Sequence, residues 1–137
     1  MIIMYIISYD IWFYISHIVL HKYLYKTIHK HHHFVNYTTM TYSDNYVGHY
    51  LESSIQSLGM FIPLLWVTMG WSFIYALLLI NIRGMMRHDN RCVWLIGNHH
   101  ILHHKYPKYN FGEYWLDCLC GTQYPNTIEY KVGLFIK

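Results

Sequence analysis

The chain divides into long apolar stretches separated by compact polar ones. Residues 1–21, MIIMYIISYDIWFYISHIVLH, are apolar almost throughout. Their number matches the roughly 20 residues needed to cross a bilayer core. Their β-branched and aromatic content would suit a strand, but the length favours a helix, so a membrane helix is predicted. Residues 22–54 are polar and mixed. Their second part reads as loop, with Ser43-Asp44-Asn45 as a turn or cap signal. Residues 55–82 are apolar again, longer than one span needs and short of the roughly 40 residues of two. A hairpin turning near Thr68-Met69-Gly70 is predicted here. Taken from Leu51 to Met86 it gives two helices of about 17 residues, each on the order of 25 Å long, a length accommodated by local thinning of the bilayer. Hydropathy alone does not demand this hairpin. It is chosen because it keeps both polar segments on one side of the membrane, which the histidines require. Residues 83–137 are polar and mixed, with turn signals at Asn110-Phe111-Gly112, Cys120-Gly121-Thr122 and Tyr124-Pro125-Asn126. The expectation is one all-α domain over residues 1–137, an integral membrane helical protein with a histidine-rich cap.

Charge supports this reading. Only 12% of residues are charged and 54% are hydrophobic, against about a quarter charged in soluble domains. No Lys or Arg occurs in residues 1–21 or between Lys30 and Arg83. The basic residues flank apolar stretches and form no aromatic-interleaved stripe, so they read as membrane-flanking charge and exclude a nucleic-acid surface. By the positive-inside tendency, residues 22–54 and 83–137, the latter with Arg83, Arg87, Arg91, Lys105 and Lys108, are cytoplasmic. Cys92, Cys118 and Cys120 are odd in number and lack C-x-x-C spacing, so they indicate neither a disulfide framework nor a thiolate zinc site. The apolar start lacks a basic leader and a small-residue cleavage site and is not read as a signal peptide. No dinucleotide fingerprint, P-loop or nucleophile elbow occurs.

The chemistry lies in the histidines, 12 of 137 residues. They fall in three clusters: His17-x3-His21, His29-x2-His32-His33 and His100-x2-His103-His104. On a helix, positions three and four apart share a face, so each cluster is expected to aim its imidazoles at one point. Neutral imidazole is the commonest metal ligand. Eight convergent rings exceed what one ion takes and suit two. His31 lies off the shared face and reads as a solvent residue or one that supports a ligand from behind, and His99 is ambiguous in the same way. His49 stands before an apolar run and reads as a helix cap. Asp10 shares a helical face with Tyr14, His17 and His21. A carboxylate at membrane depth is costly; Asp10 either lies near a membrane surface on an imperfect helix or hydrogen-bonds a ligand histidine, and the second is the reading carried forward.

The ordered motifs carry a resemblance. Asp10-x3-Tyr14-x2-His17-x3-His21 is similar to D-x3-Y-x2-H-R-x2-H, with Ile18 in place of the arginine. His29-Lys30-His31-His32-His33 is similar to H-K-x-H-H. Gly48-His49-Tyr50-Leu51-Glu52 resembles A-H-P-L-E, with Tyr50 in place of proline. His88-Asp89 matches a lone histidine before the last box. His99-His100-Ile101-Leu102-His103-His104, then Asn110-Phe111-Gly112, Asp117 and Gly121-Thr122, resembles H-H-x2-H-H…N-Y-G…W-D-x-L-F-G-T. Over residues 10 to 122 the chain resembles the fatty acid hydroxylase / sterol desaturase superfamily of integral-membrane di-iron enzymes. Members usually carry another span or two before the first box, where this chain has one apolar segment.

The resemblance implies two iron ions, cycling between Fe2+ and Fe3+, on His17, His21, His29, His32, His33, His88, His100, His103 and His104, with Asp10 and Asp117 behind them. It implies dioxygen as co-substrate, a sterol or fatty acyl lipid as substrate, and hydroxylation or desaturation of a C–H bond. Electrons would come from a b-type cytochrome or similar donor docking on the cytoplasmic face. An endoplasmic reticulum membrane fits a eukaryotic source and an inner membrane a bacterial one. Pairing of two copies would complete a cavity that few spans leave open. Two rival readings stand beside this one: a shortened, non-catalytic metal-binding relative, and a metal transporter. The scarcity of polar residues in 55–82 disfavours transport.

Overall fold

The computed structural model describes residues 1–135. Among the described residues six helices occur: α1 (Ile2–Tyr23), α2 (Tyr50–Ser57), α3 (Trp71–Arg87), α4 (Val93–Ile96), α5 (His99–Lys105) and α6 (Tyr114–Cys120). Short 3-10 turns link them, and no strand occurs among the described residues.

Helix α1 runs 22 residues without Gly or Pro to break it. His21 and Lys22 in its last turn complement the helix dipole. One side, including Tyr5, Tyr14, His17 and Leu20, is buried; Ile3, Ile7, Ile11, Ile15 and Val19 form an exposed ridge at every fourth position. Such a ridge calls for apolar surroundings rather than water. By length and composition, α1 is long and apolar enough to cross a membrane, and it alone qualifies among the described residues.

Residues 50–65 run antiparallel to α1, and α3 returns alongside it. Trp12 Nε1 donates to Ile55 O at 2.7 Å and Ser8 Oγ to Gly59 O at 3.0 Å. On the return, Phe73 packs edge-on against Tyr5, and Arg83 pairs with Asp10. The chain reverses through residues 66–70. At that end Tyr5, Met60, Phe73, Ala76 and Ile80 form the apolar core.

The outgoing arm differs from the expected 17-residue helix. It is α-helical only to Ser57, then passes through 3-10 turns at Leu58–Met60 and Ile62–Leu65. Pro63 is the cause: it has no N–H, and its ring clashes with the carbonyl four residues back in an α-helix. That carbonyl belongs to Gly59 and accepts from Ser8 instead. Gly59 also lets the arm approach α1 closely, since a Cβ there would lie 2.7 Å from Trp12 Cβ.

Two arginines read as membrane-flanking charge are internal. Arg83 pairs with both Asp10 and Glu113, and Arg87 with Glu113; their side chains are 18% and 12% exposed. This network ties α1, α3 and the residue preceding α6 together.

Candidate metal centre

Helix α1 delivers His17 and His21 from its C-terminal half, one turn apart. The second box forms a 3-10 turn, His29–Phe34, rather than an α-helix. His88 caps the C-terminus of α3. Helix α5 is almost entirely histidine and apolar residue, and its residues from His99 to His104 are buried. Asn98 fixes its start: its side chain accepts from Lys131 N at 2.7 Å and donates to Glu129 O at 2.9 Å.

These elements bring nine rings together in two groups. His17, His21, His29, His33 and His103 form one; His32, His88, His100 and His104 form the other. Within each group the candidate ligand nitrogens lie within 4.8 Å of one another. The clusters do not each converge on one point, as the helical-face argument expected. In both H-x2-H-H boxes the pair four apart joins one group and the residue between them in register joins the other. His29 and His33 stand with the five and His32 with the four; His100 and His104 stand with the four and His103 with the five. The groups therefore interleave, and the His33 and His104 rings lie 4.8 Å apart.

Backbone carbonyls orient the rings. His17 Nδ1 faces Phe111 O at 2.6 Å, His32 Nδ1 faces Val47 O at 2.7 Å, His88 Nδ1 faces Gly84 O at 2.8 Å and His103 Nδ1 faces Tyr109 O at 2.6 Å. A carbonyl only accepts, so each Nδ1 carries the proton and a neutral ring turns its Nε2 lone pair inward. The inward nitrogens then crowd: His17 and His29 Nε2 are 3.0 Å apart, His21 and His103 3.0 Å, His100 and His88 2.9 Å. Lone pairs facing each other this closely repel unless a cation lies between them. Nitrogens bound at about 2.1 Å to one ion stand roughly 3 Å apart, so the spacing fits metal. Burial also keeps these rings neutral. It pushes the pKa of His32, His100, His103 and His104 below the ordinary value, that of His88 to about 3 and that of His33 to about 2. Both nitrogens of His104 are buried without a hydrogen-bond partner among the described residues.

The turn at Asn110-Phe111-Gly112 builds this orientation. Asn110 adopts a left-handed conformation (φ 61°) and is fully buried, donating to His99 O and accepting from Tyr124 N and Tyr130 Oη. Asp117 accepts from Phe111 N at 2.9 Å, Gly112 N at 2.8 Å, Thr122 Oγ1 at 2.6 Å and His99 Nε2 at 3.0 Å. Asp117 thus braces the turn whose carbonyl holds His17, two steps from the rings that converge. Gly112 is required by a close approach, since a Cβ there would meet Tyr14 Cδ2 at 2.9 Å.

Asp10 corrects the expectation that it supports a ligand histidine: its partner is Arg83. A guanidinium presents two donors to a carboxylate, which one imidazole does not. The carboxylate that does meet a converging histidine is Glu52, whose Oε1 lies 2.9 Å from His29 Nδ1. Its sequence signal is the Gly48-to-Glu52 box, in which Glu52 stands three positions after His49. His49 caps α2, its Nδ1 accepting from Leu51 N at 3.2 Å. His31 is exposed and packs on Phe34. His99 stands outside both groups, on Asp117 and the Tyr130 ring.

A cavity of about 210 Å³ reaches the rings between α1, α2 and α3. His17, His32, His88 and His100 line it, with Phe13, Met60, Leu77 and Ile80 as apolar wall and Asn45, Glu52, Gln56 and Asn81 as polar wall. No curated protein and no solved structure matches the chain. A family model for fatty acid hydroxylase matches residues 2–122, a span that takes in every one of the nine converging histidines, and the chain belongs to the fatty acid hydroxylase family.

Proposed function

We propose that this protein is a membrane-bound lipid hydroxylase or desaturase that holds two iron ions on its nine converging histidines. The observation that carries this reading is the pairing of two groups of inward-facing, largely buried imidazoles with one cavity whose wall is part apolar and part polar. Its family membership supports the same chemistry.

Iron, once bound, supplies the power to activate dioxygen against an unactivated C–H bond, which side-chain acids and bases lack. The chain's own residues do the rest. Phe111, Val47, Gly84 and Tyr109 carbonyls hold His17, His32, His88 and His103 in the ligating tautomer. Phe13, Met60, Leu77 and Ile80 offer apolar contact to a lipid chain, on a wall they share with Asn45, Gln56 and Asn81. The cavity is smaller than the roughly 300–1,000 Å³ of sites that enclose a drug-sized ligand. It takes a segment of a lipid, and the remainder lies outside, between α2 and α3. Electrons arrive from an external donor, a b-type cytochrome or its equivalent, on the cytoplasmic face that carries the histidines. The membrane is the endoplasmic reticulum in a eukaryotic cell.

The test is expression in a lipid-rich host supplied with ¹⁸O-labelled dioxygen, with mass spectrometry of the lipid extract. Hydroxylated lipid carrying one label, or lipid short of two hydrogens, is expected with the wild type and not with His100→Ala. Bound iron without any altered lipid would favour the non-catalytic relative instead.

A further inference from the structure

The two groups differ in more than ligand number. Among the described residues, His29 is the only one of the nine whose outer nitrogen faces a carboxylate. The others with a defined outer partner, His17, His32, His88 and His103, face neutral carbonyls. Glu52 is 5% exposed; its Oε1 stands at ion-pair distance from His29 Nδ1 without hydrogen-bond geometry, and neither that nitrogen nor Glu52 Oε2 has a hydrogen-bond partner among the described residues. No Lys or Arg nitrogen pairs with it among the described residues; Arg83 and Arg87 are engaged by Asp10 and Glu113. Buried charges are ordinarily paired or coordinate a metal. The positive charge nearest Glu52 would be the ion on the five-histidine side, reached through His29.

The cavity adds a second asymmetry. Three of the four-histidine group, His32, His88 and His100, line it, whereas only His17 of the other five does. The four-histidine group, though fully buried, meets the cavity with three rings; the five-histidine group, in which His21 and His33 are half-buried, meets it with one and has Glu52 beside it.

We propose that Glu52 is a positioning residue that makes the two metal positions unequal. The five-histidine position fills first and holds its ion, and the four-histidine position, facing the substrate, is the exchangeable one. The inference rests on the metal-centre reading given above. An imidazole that donates to a carboxylate is a stronger ligand and is locked in its tautomer, and losing such a partner commonly weakens metal affinity about 10- to 100-fold.

The experiment loads the purified full chain with Zn2+, which is redox-silent, and follows release to an excess of chelator. Co2+ loading provides the absorption bands of each position. For the wild type, release in two phases of equal size is expected. His88→Ala should lose the fast phase and keep the slow one. Glu52→Gln keeps the side chain's size and removes its charge. It should speed the slow phase about tenfold or more, shift the Co2+ bands of that position and leave the fast phase as it was. The unchanged fast phase reports that the variant is folded; Glu52→Asp should restore part of the slow phase. A slow phase indifferent to Glu52→Gln, or one lost in His88→Ala, would overturn the inference while leaving a two-metal centre in place. No bound metal at all would instead overturn the centre itself.

Discussion

His31, His32 and His33 are consecutive and take three different places. His32 is turned to Val47 O and the four-histidine group, His33 joins the five, and His31 is exposed. Replacing His32 or His103 with Ala should lower bound metal and abolish lipid oxidation, whereas His31→Ala should do neither. Metal analysis of the three variants checks this, and equal loss in all three would contradict the assignment of faces. Protonation gives a second residue-scale expectation. Burial holds the His88 ring near a pKa of about 3 and the His33 ring near about 2, against 6.5 ordinarily. Below pH 6.5 the unfolded chain therefore binds more protons than the folded one, so stability falls as pH falls. The metal-free protein should be at full stability above about pH 6.5 and lose it progressively toward about pH 3. Thermal unfolding in detergent across that range measures it, and a melting temperature unchanged from pH 7 to 5 would contradict it. Ligand-type residues were legible because the spacing of histidines is written in the sequence. Their division between two groups was not, because it depends on where α1, α3 and α5 meet. Glu52 and Asp10 illustrate the same limit, since a carboxylate's partner is set by tertiary contact. Asp10 shares a helical face with His17, yet Arg83, 73 positions away, takes it.

At the scale of elements, the outgoing arm departs from regular helix because Gly59 and Pro63 stand four apart. The departure leaves backbone carbonyls that α1 satisfies, through Ser8 and Trp12. Gly59→Leu should destabilise the fold by about 1–3 kcal/mol, as overpacking does, because Trp12 and the backbone of Tyr9 stand where the side chain would go. Chemical denaturation of the detergent-solubilised protein measures it, and wild-type stability would contradict close packing of this arm on α1. Pro63 is visible in the sequence, but the 17-residue expectation rested on the length and apolarity of the stretch alone. The Asn110-Phe111-Gly112 turn was legible as a turn. That its neighbouring carbonyls aim His17 and His103 was not, because a carbonyl's direction leaves no mark on residue type.

For the whole molecule, the ion network at Asp10, Arg83, Arg87 and Glu113 joins the apolar helices to the segment that carries Asp117. Breaking a buried pair by removing one charge costs about 3–5 kcal/mol. Asp10→Asn should therefore lower stability by a large part of that amount while leaving metal content unchanged. Loss of metal without loss of stability would instead return Asp10 to the metal centre. Sequence charge placement suggested arginines at a membrane surface; the buried acids that recruit them lie far away in the chain, which local pattern reading does not join. The all-helical architecture was legible from the apolar stretches, whereas among the described residues only α1 is long and apolar enough for a full span. The central claim is that nine histidines form one two-metal centre. It is tested most directly by metal analysis and Mössbauer spectroscopy of protein grown in ⁵⁷Fe and purified in detergent. About two irons per chain are expected, one for each histidine group, with a magnetically coupled spectrum. Less than one metal ion of any kind per chain would contradict it.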